Sequence, residues 1–455
     1  MSGMFTRICL LLSVLAMLCG PIAASTAVAQ EGPRAAPTAT IEVQSLPVAE
    51  EPVPAFDPVK ATNAYLAQIS GPQRARSDAY YEGGYVLLLV GTVYALIVAG
   101  LLLWLRISAR MRDFAQAITR IRFWQAAIYA ALFFVVIVVA TLPLTLYQSF
   151  YREHEFGLSN QTIGQWFTDF AVLCAIGFVA TTILVTVIYA VVRAAPNRWP
   201  IWASAITIAF AAFVGLISPV YVAPLFNTYT PLPDSPVKQS ILAMAKANGV
   251  PVDNVYTFDA SRQSDRISAN VSGLFGTTRI SLTDNLMKRA TPAEVEAVLG
   301  HEIGHYVLGH TYTGLLWIAL VIVVGFWFLN FSFRFLTAIF GGNWDVRQID
   351  DPAGLPVLYA VGMVYLLLAT PALNTISRNI EAQADIFGLN AARQPDGFAT
   401  IALKLSEYRK LDPTPLEEFV FYDHPSGRSR IAMAMQWKAQ HLRDPDIRKG
   451  PVSPQ

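Results

Sequence analysis

Charge is scarce in this chain. Of its 455 residues only 14% are Asp, Glu, Lys or Arg, against about 25% in ordinary soluble proteins, while 54% are hydrophobic. That composition excludes a water-soluble globular protein and implies one that lives in a bilayer. Cysteine is scarcer still: Cys9, Cys19 and Cys174 all fall in apolar stretches, which excludes a disulfide framework and a cysteine metal site. Any metal must then be held by histidine and carboxylate. No basic tract and no interleaving of aromatic with basic residues accompanies the net charge of +1, so nucleic acid is not an expected partner. No internal repeat is present.

What the chain has in abundance is apolar runs. Six are of transmembrane length, roughly 84 to 105, 124 to 147, 167 to 193, 199 to 225, 314 to 338 and 354 to 376, each near or above the ~20 residues that span a bilayer. A further run from Ile8 to about Ala24, after Arg7 and before Ala27-Val28-Ala29, reads as a secretory signal, with an uncleaved signal anchor as the alternative. The expected fold is therefore mainly α: a polytopic bundle of six or seven membrane helices with a small α+β peptidase domain. The expected division is a signal peptide or anchor at 1–29, a flexible linker and pre-membrane segment at 30–83, and a four-helix membrane region at 84–225. A metallopeptidase segment at 226–313, two membrane helices at 314–376 and the rest of the peptidase domain at 377–455 follow.

Histidine is rare too, yet three of the six, His301, His305 and His310, lie within ten residues. Residues 301–305 read His-Glu-Ile-Gly-His. On a helix, positions i and i+4 share a face, so His301 and His305 can place two imidazole nitrogens on one Zn²⁺. Glu302 then stands beside the metal, where a carboxylate can take a proton from water whose pKa the metal has lowered. The preceding Thr291-Pro292-Ala293-Glu294 predicts the helix start, with an N-cap hydroxyl, proline at the first helical position and a capping-box glutamate. His310 falls off the metal face and is expected to support it from outside.

A third ligand must come from elsewhere. An extended motif with glycine at 308 and histidine at 311 is ruled out by Leu308 and Thr311. A glutamate on a second helix, with an acid four residues on that orients a metal-binding histidine, is matched by Glu381 and Asp385. Between the fourth and fifth runs, Ser235–Ala247 has helical periodicity, while 254–258 and 279–282 alternate as strands do. Residues 267–282 are the candidate edge on which an extended substrate would add as a strand.

In these segments the chain resembles the integral membrane zinc metallopeptidases typified by type I CAAX prenyl endopeptidase, a gluzincin family. The resemblance rests on Ala223-Pro-Leu-Phe-Asn-Thr-Tyr-Thr-Pro-Leu-Pro233, Arg279-Ile-Ser-Leu-Thr-Asp284 and Val298-Leu-Gly-His-Glu-Ile-Gly-His-Tyr-Val-Leu-Gly-His310. It continues in Ser377-Arg-Asn-Ile-Glu-Ala-Gln-Ala-Asp385 and in His424-Pro425 with Arg430, and Glu153-His-Glu-Phe-Gly157 resembles a further loop signature. It implies one Zn²⁺ per chain on His301, His305 and Glu381, Glu302 as base, and Asp385 supporting the metal ligands. His424 and Arg430 are implied near the metal, opposite which a donor would stabilise the developing oxyanion. The family often has Asn-Ala on its substrate strand. Here Ser268-Ala269-Asn270 stands in that region, with Asn270 as the amide from a shifted register.

The resemblance implies proteolysis of membrane-associated or lipid-modified polypeptides, in contact with membrane lipid, with removal of a CAAX tripeptide as its named form. A signal-like N-terminus points instead to a bacterial inner membrane, where general cleavage of envelope proteins is the alternative. Arg106, Arg110, Arg112, Arg120 and Arg122 in one loop place that loop inside and the metal segment outside, by the positive-inside rule. The family's usual arrangement implies the opposite side. A transporter would carry ionisable residues near mid-span, and these spans have almost none; an inactive scaffold would be expected to lose a metal residue, and none is lost.

Overall fold

The computed structural model describes residues 56–272 and 278–448. The apolar N-terminal run and the cleavage expected within it lie outside the described residues. Among the described residues, six helices are long and apolar enough to cross a membrane: Gly71–Trp104, Arg122–Glu155, Ile163–Ala194, Trp199–Leu225, His310–Trp344 and Pro352–Ala392, here the first to sixth spans. They contain all six expected runs. Helix also begins earlier than expected, because Asp57 accepts from the backbone of Val59 and Lys60 to cap Pro58–Leu66, with proline at the first helical position. Leu66 and Ile69 then bury against Phe398, Met435 and Trp437 of the C-terminal region.

The peptidase part is built around a four-stranded sheet in the order β1-β2-β4-β3, with β1 Tyr229–Pro231, β2 Val255–Phe258, β3 Ala269–Ser272 and β4 Arg279–Thr283. β2 and β4 are parallel; the outer pairs are antiparallel. Helices Pro236–Ala247 and Pro292–Val307 cover the sheet, with Ile241, Ile280, Leu282, Leu299 and Ile303 wholly buried between them. Each such side chain contributes roughly 1.5–3 kcal/mol of apolar transfer, which holds the HEIGH helix against the strands. β3, within the segment singled out as a candidate edge, is an outer strand of this sheet.

The 292–307 helix starts on the capping box expected for it: Thr291 N–H donates to Glu294 at 2.7 Å and Glu294 N–H to Thr291 at 3.4 Å. Its C-terminal end is set by Gly309, whose positive φ of 64° turns the chain directly into the fifth span at His310. The second half of the site, expected in the tail past the sixth run, stands on the sixth-span helix itself. That helix, Leu355–Ala392, carries Pro371 inside it and still runs on through Glu381 and Asp385, so span and candidate ligand positions form one continuous helical rod.

Candidate metal centre

Where the HEIGH helix meets this rod, both backbones are bare. A Cβ at Gly388 would lie 2.7 Å from His301 N, and one at Gly300 would lie 2.9 Å from Gly388 O. Glycine on both sides lets the helices touch along their backbones. Asp385 and Glu381, one and two turns before Gly388, are thereby brought level with the histidines.

Three side chains converge there. His301 Nε2 lies 3.0 Å from His305 Nε2 and 3.2 Å from Glu381 Oε2, and His305 Nε2 lies 3.6 Å from Glu381 Oε1. Ligand atoms about 2.0–2.1 Å from a tetrahedral ion are about 3.3 Å apart, which these separations bracket. Glu381 Oε2 is buried without a well-directed hydrogen bond. A buried carboxylate oxygen left so is costly unless a cation completes it. The donor set of two imidazoles and a carboxylate thus fits a divalent metal in both spacing and unsatisfied charge.

Around these atoms the structure places the other predicted residues. Asp385, fully buried, accepts from His301 Nδ1 at 2.7 Å. Arg430 departs from the expectation that placed it opposite the metal. Its Nε donates to Asp385 Oδ2 at 2.9 Å and its terminal nitrogen to Oδ1 at 2.5 Å, so the guanidinium is committed to that carboxylate. His424 does reach the centre, its Nε2 3.3 Å from Glu381 Oε2, and its Nδ1 is tied to Asp423 at 2.8 Å. His310 Nδ1 lies 3.0 Å from His305 Nδ1, and its Nε2 3.3 Å from Gln383 Oε1.

Glu302 faces a cavity of ≈ 460 Å³ that it shares with His305 and Glu381; Asn270, Val271 and Ser272 of β3 form part of its wall. The Asn270 amide oxygen accepts from Ser272 Oγ at 3.1 Å. Burial pushes the Glu302 carboxyl above the ordinary glutamate range against the pull of His301, His305 and His424. Burial alone would lower His301, but the hydrogen-bonded carboxylates Asp385 and Glu381 carry it up to about 10.

Several supporting residues had no individual role in the sequence reading. Arg378, one turn before Glu381, donates to Glu418 O at 2.7 Å and Tyr422 O at 2.5 Å, and Asn374 to Val420 O at 2.7 Å, which clasps the loop carrying His424. Glu153, in the noted Glu-His-Glu-Phe-Gly segment, accepts from Tyr80 at 2.7 Å and Arg266 at 2.6 Å. That buried cluster ties the first two spans to the segment leading into β3. The signal for both was an arginine or acid inside an otherwise apolar or motif segment.

Comparison with known proteins identifies the class of this centre. Residues 231–438 match peptidase family M48, and residues 62–228 match the CAAX prenyl protease N-terminal family, described as five membrane helices. The peptidase part of the chain is thus similar to family M48 and its membrane part to the CAAX prenyl protease N-terminal family, and the chain is a membrane-embedded metalloendopeptidase. It is 27% identical over 379 residues to the uncharacterized metalloprotease YhfN of Bacillus subtilis, covering 83% of this chain and 89% of that one. It is 27% identical over 308 residues to CAAX prenyl protease 1 of Saccharomyces cerevisiae, covering 64% and 67%. The crystal structure of S. mikatae Ste24p shares the fold, with a TM-score of 0.68 at 21% identity over 83% of this chain and 94% of that one.

Proposed function

We propose that the centre holds one Zn²⁺ per chain on His301, His305 and Glu381 and hydrolyses peptide bonds of membrane-associated or lipid-modified polypeptides, in the manner of a CAAX prenyl protease. The observation that carries this reading is the convergence of the three ligand positions beside Glu302, in a cavity walled by an outer strand. When bound, the ion would supply a Lewis acid that acidifies water and polarises a carbonyl. Glu302 takes the proton of the attacking water and returns it to the leaving amine. β3 holds the substrate backbone as an added strand, with Asn270 as a side-chain contact. His424, held by Asp423, donates to the carbonyl oxygen as charge develops. Asp385, clamped by Arg430, keeps His301 turned to the centre; Arg430 acts through Asp385 rather than on substrate.

The lipid-modified class is supported by the relatives' names and by an apolar cavity of ≈ 280 Å³ among the spans, bounded by residues such as Phe133, Leu184, Ile188 and Tyr365. General proteolysis of envelope proteins is the second reading, favoured by a Bacillus relative named only as a metalloprotease, which also supports residence in a bacterial inner membrane. The domain division proposed is a membrane region through 225, a peptidase segment at 226–313, two further spans, and a peptidase C-terminal part from 377. Charge in the 106–122 loop supports a centre on the outer face, to be tested by a reporter fused after Gln455.

The deciding experiment compares wild-type protein with Glu302→Ala on a prenylated peptide and on an unmodified membrane protein. Cleavage of the first alone supports the CAAX-like reading, and cleavage of both supports the general one. If the wild type cleaves nothing that Glu302→Ala leaves intact, the proposed catalytic role fails.

A further inference from the structure

His301 and His305 stand symmetrically in the motif but not in their support. His301 leans on a carboxylate, Asp385. His305 leans on a second histidine, His310, which in turn meets the side-chain oxygen of Gln383. With the Gln383 oxygen turned to His310 and His310 neutral, one arrangement of protons satisfies that chain. The Gln383 oxygen can only accept, so His310 Nε2 must carry a proton. A neutral His310 then has a bare Nδ1, which accepts from Nδ1–H of His305 at 3.0 Å. His305 is left with its lone pair on Nε2, the nitrogen that faces His301 and Glu381.

The geometry points to Gln383 and His310 as positioning residues: together they fix the tautomer of His305 that can bind the metal, using a neutral chain where His301 uses an anion. This inference rests on the metal-centre reading above. The choice of a neutral chain has an electrostatic reason. Glu381, Glu302 and Asp385 already bring three carboxylates into the cluster, against one committed cation, Arg430. A fourth acid on His305 would add negative charge that a divalent ion could not balance, and would make that ion a weaker Lewis acid. The Glu-Ala-Gln-Ala-Asp segment thus carries three functions on one turn of the sixth-span helix: Glu381 faces the metal, Asp385 holds His301, and Gln383 holds His305 through His310. The helix junction at Gly309 is what makes this possible, since its left-handed turn restarts the chain as a new helix at His310, directly beside His305.

The test measures zinc affinity of the detergent-purified full chain by chelator competition, with the melting midpoint of the zinc-free protein as a check on folding. His310→Leu and Gln383→Leu are each expected to weaken zinc binding about 10–100-fold, with the zinc-free midpoint little changed. Gln383→Glu keeps an acceptor for His310 Nε2–H and is expected to retain affinity within about threefold of wild type, a small fraction of that loss. Wild-type affinity in both leucine variants overturns the inference, and so does a loss in Gln383→Glu equal to that in Gln383→Leu. If the wild type itself binds no zinc, the metal reading falls and this inference with it; if it binds zinc and only the chain variants are silent, the inference alone falls.

Discussion

Gly388 lies so close to His301 that a single added methyl would come within 2.7 Å of the His301 backbone nitrogen. The neighbour is helix backbone on a buried ligand, so it cannot swing aside. Gly388→Ala must therefore push the HEIGH helix and the sixth-span helix apart, at a cost of about 1–3 kcal/mol. The separation falls on the candidate metal centre, because two of the proposed ligands stand on one helix and the third on the other. We expect the variant to stay folded but to bind zinc at least about tenfold more weakly, since outer supports alone are worth that much. Chelator competition checks it; unchanged affinity would mean that the close crossing is unrelated to ligand geometry.

The Asp385–Arg430 pair is buried, so breaking it from either side leaves an uncompensated charge. Asp385→Asn or Arg430→Met alone should destabilise the protein by about 3–5 kcal/mol. The double variant removes both charges and should recover most of that loss. Zinc affinity should behave differently: it falls in Asp385→Asn and stays low in the double, because His301 no longer has an anion to hold its Nδ1–H. Melting midpoints and zinc competition on the three variants separate the two effects. Parallel recovery of both would show that Arg430 and Asp385 serve stability alone.

Much of this arrangement was legible before any fold was known. The capping box at Thr291 and Glu294, the two histidines one turn apart and the six apolar runs follow from local periodicity, which the fold preserved. The i, i+4 pair Glu381 and Asp385 was legible for the same reason. What sequence reading could not supply was direction across space. The resemblance implied His424 or Arg430 as the oxyanion donor, and the structure turns Arg430 to Asp385, forty-five residues away in the chain. The continuity of the sixth span into the ligand helix was hidden because hydropathy drops near residue 376 while helical geometry does not. Gln383 carries no signal of its own between two acids, and only the turn at Gly309 brings a histidine to it.

Activity should depend on pH through Glu302. Its carboxyl is raised by burial, and it acts as a base only when ionised. Activity is therefore present above the Glu302 pKa and lost as pH falls through it, which gives kcat/KM an acidic limb. Glu302→Gln should lower kcat by about 10²–10⁴-fold and abolish this limb while zinc remains bound. A limb that persists in the glutamine variant's residual activity would assign the titration to another group.

His424 and the metal ligands should separate kinetically. His424→Ala removes a donor but no ligand, so zinc affinity is expected to hold while kcat falls by about 10²–10³-fold, the loss seen when one oxyanion donor is removed. KM should change little, since the contact strengthens only as charge develops. Stopped-assay kinetics beside a zinc titration distinguish this from loss of the ion. A fall in affinity matching the fall in kcat would instead make His424 part of the metal shell.

Metal loading should itself be pH-dependent through His301. In the metal-free protein the carboxylates beside it raise the imidazole to about 10, against 6.5 for the ordinary side chain. The sign follows from that upward shift: the protonated pairing stabilises the metal-free fold fully below about 6.5 and is lost as pH rises through about 10. The metal needs the same nitrogen bare, so proton and ion compete. Zinc affinity should therefore rise about tenfold per pH unit between about 7 and 10, with one proton released from His301 on binding. Over the same window the melting midpoint of the metal-free protein should fall. His301→Ala is unsuitable as a control because it removes a ligand, but Asp385→Asn lowers the imidazole while keeping it. In that variant the steep region should move to lower pH, and a pH profile identical to wild type would rule out the carboxylate as the cause of the proton competition.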